Sequence, residues 1–441
     1  MKHKLSELSA IKNAGAPLIE VEEKKWFEPA LRKFAKAIAF TKMGEELTVY
    51  LKIIDFIRVI AFSIAKNTNI INDLKSWKNI KELSGYDYGI LRAFVELGCK
   101  AGILDEKDSL IKINEEILSE EYVTGQYIIK NIKQKNLSWL SSKHRREISN
   151  FTFIYLLICI RNEEKVDSDI LAQFGISDRW INIVNKNSYN YELILCEYVL
   201  ELLNVNLVGK IKFSKGEEFY TSLGRSAFEL FTREYFKKTL DCMNLIGEIK
   251  IFLDIGCGYG DYIEIVSKMD TIEKITGVER QTEVYNIVKE RFKHYKNIEI
   301  INENVFNIEL DEKIDLILLN YVLFYFSDAD KLELFKKLNK ILNDKGHIMI
   351  CQYYPKTEEI KRNLAIVNKD FDFDKRIGMY LGNIILYSEV LLNETLDDFK
   401  QSERWEAFCE IIDKADLEIG YITNAERFYY SYFIMLKKKK S

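Results

Sequence analysis

The chain has 441 residues, long for one domain and suited to two or three. Hydrophobic residues make up 47% and charged residues 30%, the balance of a globular protein with a sizeable core, and a net charge of −4 gives no basis for a polyanionic partner. No apolar run reaches the roughly 18 residues of a membrane helix, the N-terminus lacks the apolar stretch of a signal peptide, and the seven scattered cysteines form no Cys-x-x-Cys pair, so a reducing cytoplasm is expected, with no disulfide framework, no bound metal and no membrane.

Between residues 26 and 65 apolar side chains recur at helical spacing, as in Leu51, Ile54, Ile57 and Ile60, with Lys52, Asp55 and Arg58 between them. Such faces need apolar partners, within the domain or across a dimer. Residues 80–85 predict a short helix closed by glycine, 86–98 a second helix, and 101–106 with 111–113 a small hairpin. This arrangement resembles the winged-helix module at the N-terminus of small-molecule O-methyltransferases, where it serves dimerisation and walls the substrate site; the resemblance implies a homodimer. Winged helices also bind DNA. Between Asp73 and Lys100, however, five basic residues stand against four acidic ones, without the basic excess of a DNA-reading helix. Residues 114–210 read as helical, with apolar centres at 151–160 and 193–208, and form a linker or cap.

The most specific signal follows. An apolar run ends in Asp254, a turn carries Gly256, Gly258 and Gly260, and Glu279 stands nineteen residues after the last glycine. Glycines let backbone turn tightly and approach a ligand closely, and an acidic residue at a strand end accepts hydrogen bonds from ribose hydroxyls. A dinucleotide fingerprint would read G-x-G-x-x-G; here the third glycine arrives one residue early and Asp261 takes the sixth place. Further strands are predicted at 274–278, 298–301, 314–320 and 346–352, separated by amphipathic helices at 281–295 and 328–342. That alternation implies a doubly wound, mostly parallel sheet. Two closely spaced strands, 417–422 and 430–436, end the chain as an antiparallel pair.

G-x-G-x-G after an Asp-ended strand resembles motif I of the class I S-adenosylmethionine-dependent methyltransferases. The resemblance implies an α/β fold with a doubly wound seven-stranded sheet, an N-terminal mainly helical winged-helix domain, and S-adenosyl-L-methionine as cofactor. In these terms Asp254 takes the amino group of the methionine moiety, the three glycines give backbone approach, and Glu279, with Arg280 beside it, accepts from the ribose. Asn304 and Val305 occupy the place where related enzymes meet the adenine, although a turn-forming role suits Asn304 nearly as well. Asn320 should lie beside the methionine end. Tyr220 or Arg225 either binds the cofactor carboxylate or packs a helix.

Residues 322–328 resemble the Leu-His-Asp-Trp-Ser-Asp stretch of the O-methyltransferases, in which the histidine is the general base. Here that position is Phe324, and its neighbour is Tyr325. None of the four histidines (3, 144, 294 and 347) falls where the family places its base. The acceptor is then either intrinsically acidic or enolisable, or served by Tyr325, Tyr321, Tyr353 or a carboxylate from the cap region, with Tyr325 and Tyr321 the candidate catalytic side chains; Ser327 with Asp328 reads as a helix cap. Arg376 or Arg404 either clamps an anionic acceptor or makes a surface ion pair. The expected organisation is a dimerisation domain over 1–120, a linker or cap over 121–215 and the cofactor-binding domain over 216–441. The expected function is methyl transfer to oxygen or carbon of a small molecule, with no nucleic-acid partner. The competing expectation is a winged-helix DNA-binding regulator whose methyltransferase-like domain senses the cofactor.

Overall fold

The computed structural model describes residues 27–119, 121–185, 189–210, 216–353, 373–396, 399–400, 404–425 and 431–439. The chain divides into two compact units: Glu20–Leu223 with Tyr380–Asp397, and Gly224–Met379 with Asp398–Ser441.

The first unit is mainly helical. Helices α1 (Phe27–Ala37), α2 (Lys42–Asn67), α3 (Tyr88–Lys100), α4 (Arg145–Arg161) and α5 (Asn190–Glu201) are its main pieces. The periodic residues Leu51, Ile54, Ile57 and Ile60 of α2 are all buried, and α2 packs along α4, where Phe56 stacks on Phe151 at 4.8 Å. On the same helix Asp55 is fully buried. It accepts two hydrogen bonds from Arg32, at 3.0 and 2.8 Å, one from Arg58 at 3.0 Å and one from Asn150 at 2.7 Å. A buried carboxylate is tolerated only with this degree of pairing.

Strands β1 (Lys78–Asn79), β2 (Leu104–Lys107) and β3 (Leu110–Ile113) form a small antiparallel sheet in the order β1-β3-β2 beside α3. The helix expected over 80–85 is a single 3-10 turn, Ile80–Glu82, capped by the Asn79 side chain. The turn stops after three residues because Leu83 already takes an extended backbone, φ −84° and ψ 108°, ahead of Gly85 at φ +88°.

The second unit is a seven-stranded sheet ordered β6-β5-β4-β7-β8-β10-β9. Its strands are β4 (Ile251–Ile255), β5 (Lys274–Val278), β6 (Ile298–Ile301), β7 (Ile314–Asn320), β8 (Leu342–Tyr353), β9 (Leu417–Asn424) and β10 (Ser431–Lys438). β4 to β8 run parallel, while β10 is antiparallel to both neighbours. Side chains alternate faithfully. Phe252, Leu316, Leu318, Met349 and Cys351 face a core shared with α6 (Arg233–Cys242), α7 (Asp261–Val266) and α8 (Thr282–Phe292). Leu253, Ile255, Ile317, Leu319, Ile348 and Ile350 face the opposite core, shared with α9 (Asp328–Ile341) and α11 (Trp405–Lys414). Between these last two helices, α10 (Phe373–Glu394) belongs to the first unit from Tyr380 onward. With apolar side chains on both faces, the central strands read as unbroken hydrophobic runs.

The chain winds from β4 outward through β5 to β6, then crosses to the other side of β4 for β7. This reversal makes a crevice at the carboxyl ends of β4 and β7, the place where open α/β sheets bind ligands. Among the described residues no helix is long and apolar enough to cross a membrane.

Candidate functional site

β4 delivers Asp254 to this crevice. The carboxylate is almost completely buried, and its Oδ2 has no hydrogen-bond partner. Burial pushes its pKa up to about 8, with the charges of Glu279 and Asp261 adding to the rise. An acid desolvated without a counter-charge is costly, and a bound cation would remove that cost.

The glycine turn follows directly. Gly256 and Gly260 lie at φ +69° and +77°, and a Cβ on either would stand within 2.5 Å of Val322 or Phe292. Gly258 differs: its φ is +50°, yet nothing lies within 4 Å of where a Cβ would be. Gly256 and Gly260 are therefore required by the protein's own packing, and Gly258 between them leaves open space. Glu279, at the end of β5, holds this turn with one oxygen, accepting from Gly258 N–H at 3.1 Å, and accepts from Gln281 N–H at 2.9 Å with the other.

The remaining sequence-derived candidates are distributed along the same edge. Arg280 is exposed, and its guanidinium lies 5.5 Å from the centre of the Tyr325 ring. Asn304 is exposed and its side-chain oxygen accepts from Phe306 N–H at 3.1 Å, a turn-forming bond, while Val305 behind it is buried. Asn320 ends β7 and its Oδ1 accepts from the Tyr262 hydroxyl at 3.4 Å. Tyr321 takes a left-handed backbone, φ +52°, and its hydroxyl donates to Ser431 at 2.8 Å, so that group is directed at β10. Such a conformation in a bulky residue is strained, and strain of this kind concentrates at functional sites.

Phe324 occupies a short 3-10 turn, Leu323–Tyr325, ahead of α9. It packs against Tyr325, Tyr353 and Phe399 at 4.5, 5.8 and 5.6 Å between ring centres. Ser327 caps α9 in a reciprocal box with Asp330, and Asp328 instead pairs with Arg404 at 3.2 Å. Arg225 stands 3.6 Å from Glu229 on its own helix. The side chains of Tyr220 and Arg376 lie outside the described residues. His347 is half-buried, and desolvation lowers its pKa; the His144 ring packs on Tyr122 at 4.2 Å.

Three participants were not singled out from the sequence. Arg291 on α8 clamps the glycine turn, donating to Tyr259 O at 2.6 Å and to Asp261 at 2.8 Å. Tyr262, the second residue of α7, joins Asn320 to Thr232, whose hydroxyl lies 2.9 Å from its own. Thr232 itself sits in a π-helical turn, Phe228–Thr232, a form that recurs at functional sites. Gln352, next to last in β8, is fully buried. A polar residue closing an apolar strand was the available signal for it.

The residues fit S-adenosylmethionine. An orphaned carboxylate awaits a cation, a glycine leaves room for a close approach, and a second carboxylate stands at the next strand end. The comparisons agree with the geometry. The sequence family described as a methyltransferase domain matches residues 248–409. With the strand order above, this defines a class I S-adenosylmethionine-dependent methyltransferase domain, and S-adenosylmethionine is its cofactor.

Among curated proteins, the chain is similar to ribosomal RNA small subunit methyltransferase A of Caldanaerobacter subterraneus, at 33% identity over 67 residues, 15% of this chain and 24% of that protein. The counterpart in Persephonella marina is 30% identical over 86 residues, 20% of this chain and 32% of that protein. The chain thus spans only a quarter to a third of these relatives. Among solved structures, an O-methyltransferase family 2 protein of Planctomyces limnophilus, in complex with apigenin, aligns over 96% of this chain and 97% of its own, with 14% identity and a TM-score of 0.44. An N-methyltransferase of Bradyrhizobium japonicum aligns over 47% of this chain and 96% of its own, with 13% identity and a TM-score of 0.33.

Proposed function

We propose that the chain methylates a small organic acceptor on oxygen or carbon without a histidine base. The observation that carries this is the crevice between β4 and β7, with the buried Asp254 and the loop-holding Glu279 around an open glycine turn. Asp254 binds the cofactor's ammonium, Glu279 the ribose hydroxyls, and Val305 lies against the adenine. Asn320, held by Tyr262, faces the methionine end. On this reading the adenine and ribose would lie over β6 and β5, the methionine over β4 and β7 and the acceptor over β7 and β8, an order that the strand sequence β6-β5-β4-β7-β8 supports.

When bound, S-adenosylmethionine supplies an electrophilic methyl group on a sulfonium. Methyl transfer is an in-line displacement, so the protein's work is alignment, exclusion of water and management of one proton. Packed among aromatic rings, Phe324 moves no proton. Tyr325, half-buried with Arg280 against its ring, is the side chain left to orient the acceptor or take its proton. The chain acts as a homodimer in the cytoplasm.

Calorimetric titration with S-adenosylhomocysteine tests the cofactor site. Micromolar-range binding is expected, and Glu279→Ala should weaken it by more than about tenfold, the loss of roughly 1.4 kcal/mol or more that accompanies removal of a charge-assisted hydrogen bond. Absence of binding by the wild type would remove this reading of the site.

A further inference from the structure

Gln352 is fully buried, and neither its side-chain carbonyl nor its amide nitrogen has a hydrogen-bond partner. A primary amide can make about four hydrogen bonds, and native proteins rarely bury one with none made. Its position is as informative as its isolation. By the alternation along β8, Gln352 follows Ile348 and Ile350 on the face covered by α9, and it lies directly opposite Tyr432 of β10. Leu323, from the turn that carries Phe324 and Tyr325, packs into that same core. In register, Cys351 pairs with Asn320, the last residue of β7. Gln352 therefore stands at the carboxyl edge of the sheet, two strands beyond Asp254. By register Asp254 is level with Leu318 and Met349, so Gln352 lies two strands across and three residues further toward the carboxyl edge, roughly 14 Å away at the usual strand dimensions, on the side away from Glu279.

Resting on the methyltransferase reading above, we propose that Gln352 is an acceptor-recognition residue, whose amide pairs edge to edge with an amide or lactam group of the methyl acceptor. The complement of an edge that offers one donor and one acceptor is another such edge. Two parallel hydrogen bonds would satisfy both orphaned atoms at once and fix the acceptor's rotation. At the same end of β8 the buried rings of Phe324, Tyr353 and Phe399 pack together, Tyr353 being the next residue and therefore on the opposite face of the strand from Gln352. The methylated atom is a separate hydroxyl on that molecule. Its oxygen takes the methyl carbon, the carbon–sulfur pair returns to sulfur as S-adenosylhomocysteine, and the hydroxyl proton leaves to water, directly or relayed through the Tyr325 hydroxyl, which gives up its own proton as it takes this one. The amide of Gln352 takes no proton in this step.

Gln352→Met, close in shape and apolar, tests the assignment with two readouts. Without ligand it should raise Tm by about 2–4 °C, because an unpartnered amide has been removed from the interior. A fall in Tm would show a structural amide bridged by buried water and overturn the proposal. The second readout is release of S-adenosylhomocysteine with salicylamide and 7-hydroxy-2-quinolone as probes, against N,N-dimethylsalicylamide and N-methyl-7-hydroxy-2-quinolone, which keep the hydroxyl but lose the donor. The wild type should favour the unmethylated probes by about tenfold or more in kcat/KM, and Gln352→Met should erase that preference while S-adenosylhomocysteine affinity stays unchanged. Equal rates for both probe sets, an intact preference in the variant, or no turnover of either set by a wild type that binds S-adenosylhomocysteine would each overturn it. Loss of S-adenosylhomocysteine binding by the wild type would instead strike the cofactor site.

Discussion

Asp254 shows how a residue can be wrong for stability and right for function. Its carboxyl, raised to about 8 mainly by burial, has a folded pKa above the ordinary value of 3.8. The native state therefore holds the proton more tightly than the unfolded chain does. That stabilisation is fully present below pH 3.8 and is lost as pH rises to and through about 8. Asp254→Asn keeps the shape and cannot ionise. It should melt above the wild type by a margin that widens from about pH 5 to about pH 8, and it should lose measurable S-adenosylhomocysteine binding. Thermal melts at the two pH values decide the first claim; a margin that does not widen contradicts it.

Phe324 and Tyr325 carry the second residue-scale expectation. With no histidine at the acceptor, turnover should show no enzyme titration near the histidine range of roughly pH 6 to 7. Tyr325→Phe should slow single-turnover methyl transfer more than His347→Ala does, because His347 lies within a strand and its burial already favours the neutral ring. Unchanged Tyr325→Phe rates would leave that hydroxyl a packing role only.

Among the elements, the π-helical turn Phe228–Thr232 has a definite task. It brings the Thr232 hydroxyl to Tyr262, whose own hydroxyl reaches Asn320 at the end of β7. Tyr262 also packs between Phe228 and Phe236, at 5.0 and 4.9 Å between ring centres, so its position is set by apolar contacts as well as by the bond. Thr232→Val and Tyr262→Phe each remove hydrogen bonding while keeping volume. Each should weaken S-adenosylhomocysteine by about threefold to tenfold, the worth of one partly buried hydrogen bond, with little change in Tm. Calorimetric affinities equal to the wild type would sever Asn320 from this support.

At the scale of the whole molecule, the apolar stripe of α2 that suggested a dimer surface is occupied inside the first unit, against α4 and its neighbours. Exposed apolar side chains remain elsewhere on that unit, among them Phe40 at 97% exposure and Met43 at 40%, at the head of α2. The homodimer proposal then rests on this surface. Sedimentation at tens of micromolar should give a dimer, and Phe40→Ser should shift it toward monomer without altering S-adenosylhomocysteine affinity. A wild type that sediments as a monomer ends the proposal.

Sequence alone determined the cofactor and the strand-and-turn element proposed to hold it. The Asp-ended strand, the glycine spacing and the later glutamate are consecutive or nearly so, and the chemistry of a tight turn admits few other residues, so a linear pattern carries the site. The five central strands were equally legible, because burial on both faces imposes unbroken apolar runs. What only the tertiary structure decided involves partners far apart in the chain. Asp55 read as one polar position on an amphipathic helix, and only folding gathers Arg32, Arg58 and Asn150 around it. Arg291 fastens a turn some thirty residues away. The Tyr321 hydroxyl turns to Ser431, more than a hundred residues on. Gln352 looked like the polar end of a strand, and its isolation became visible only when the sheet and its covering turn closed over it. Hydrogen-bond satisfaction is a property of three-dimensional neighbourhoods, and no one-dimensional spacing encodes it.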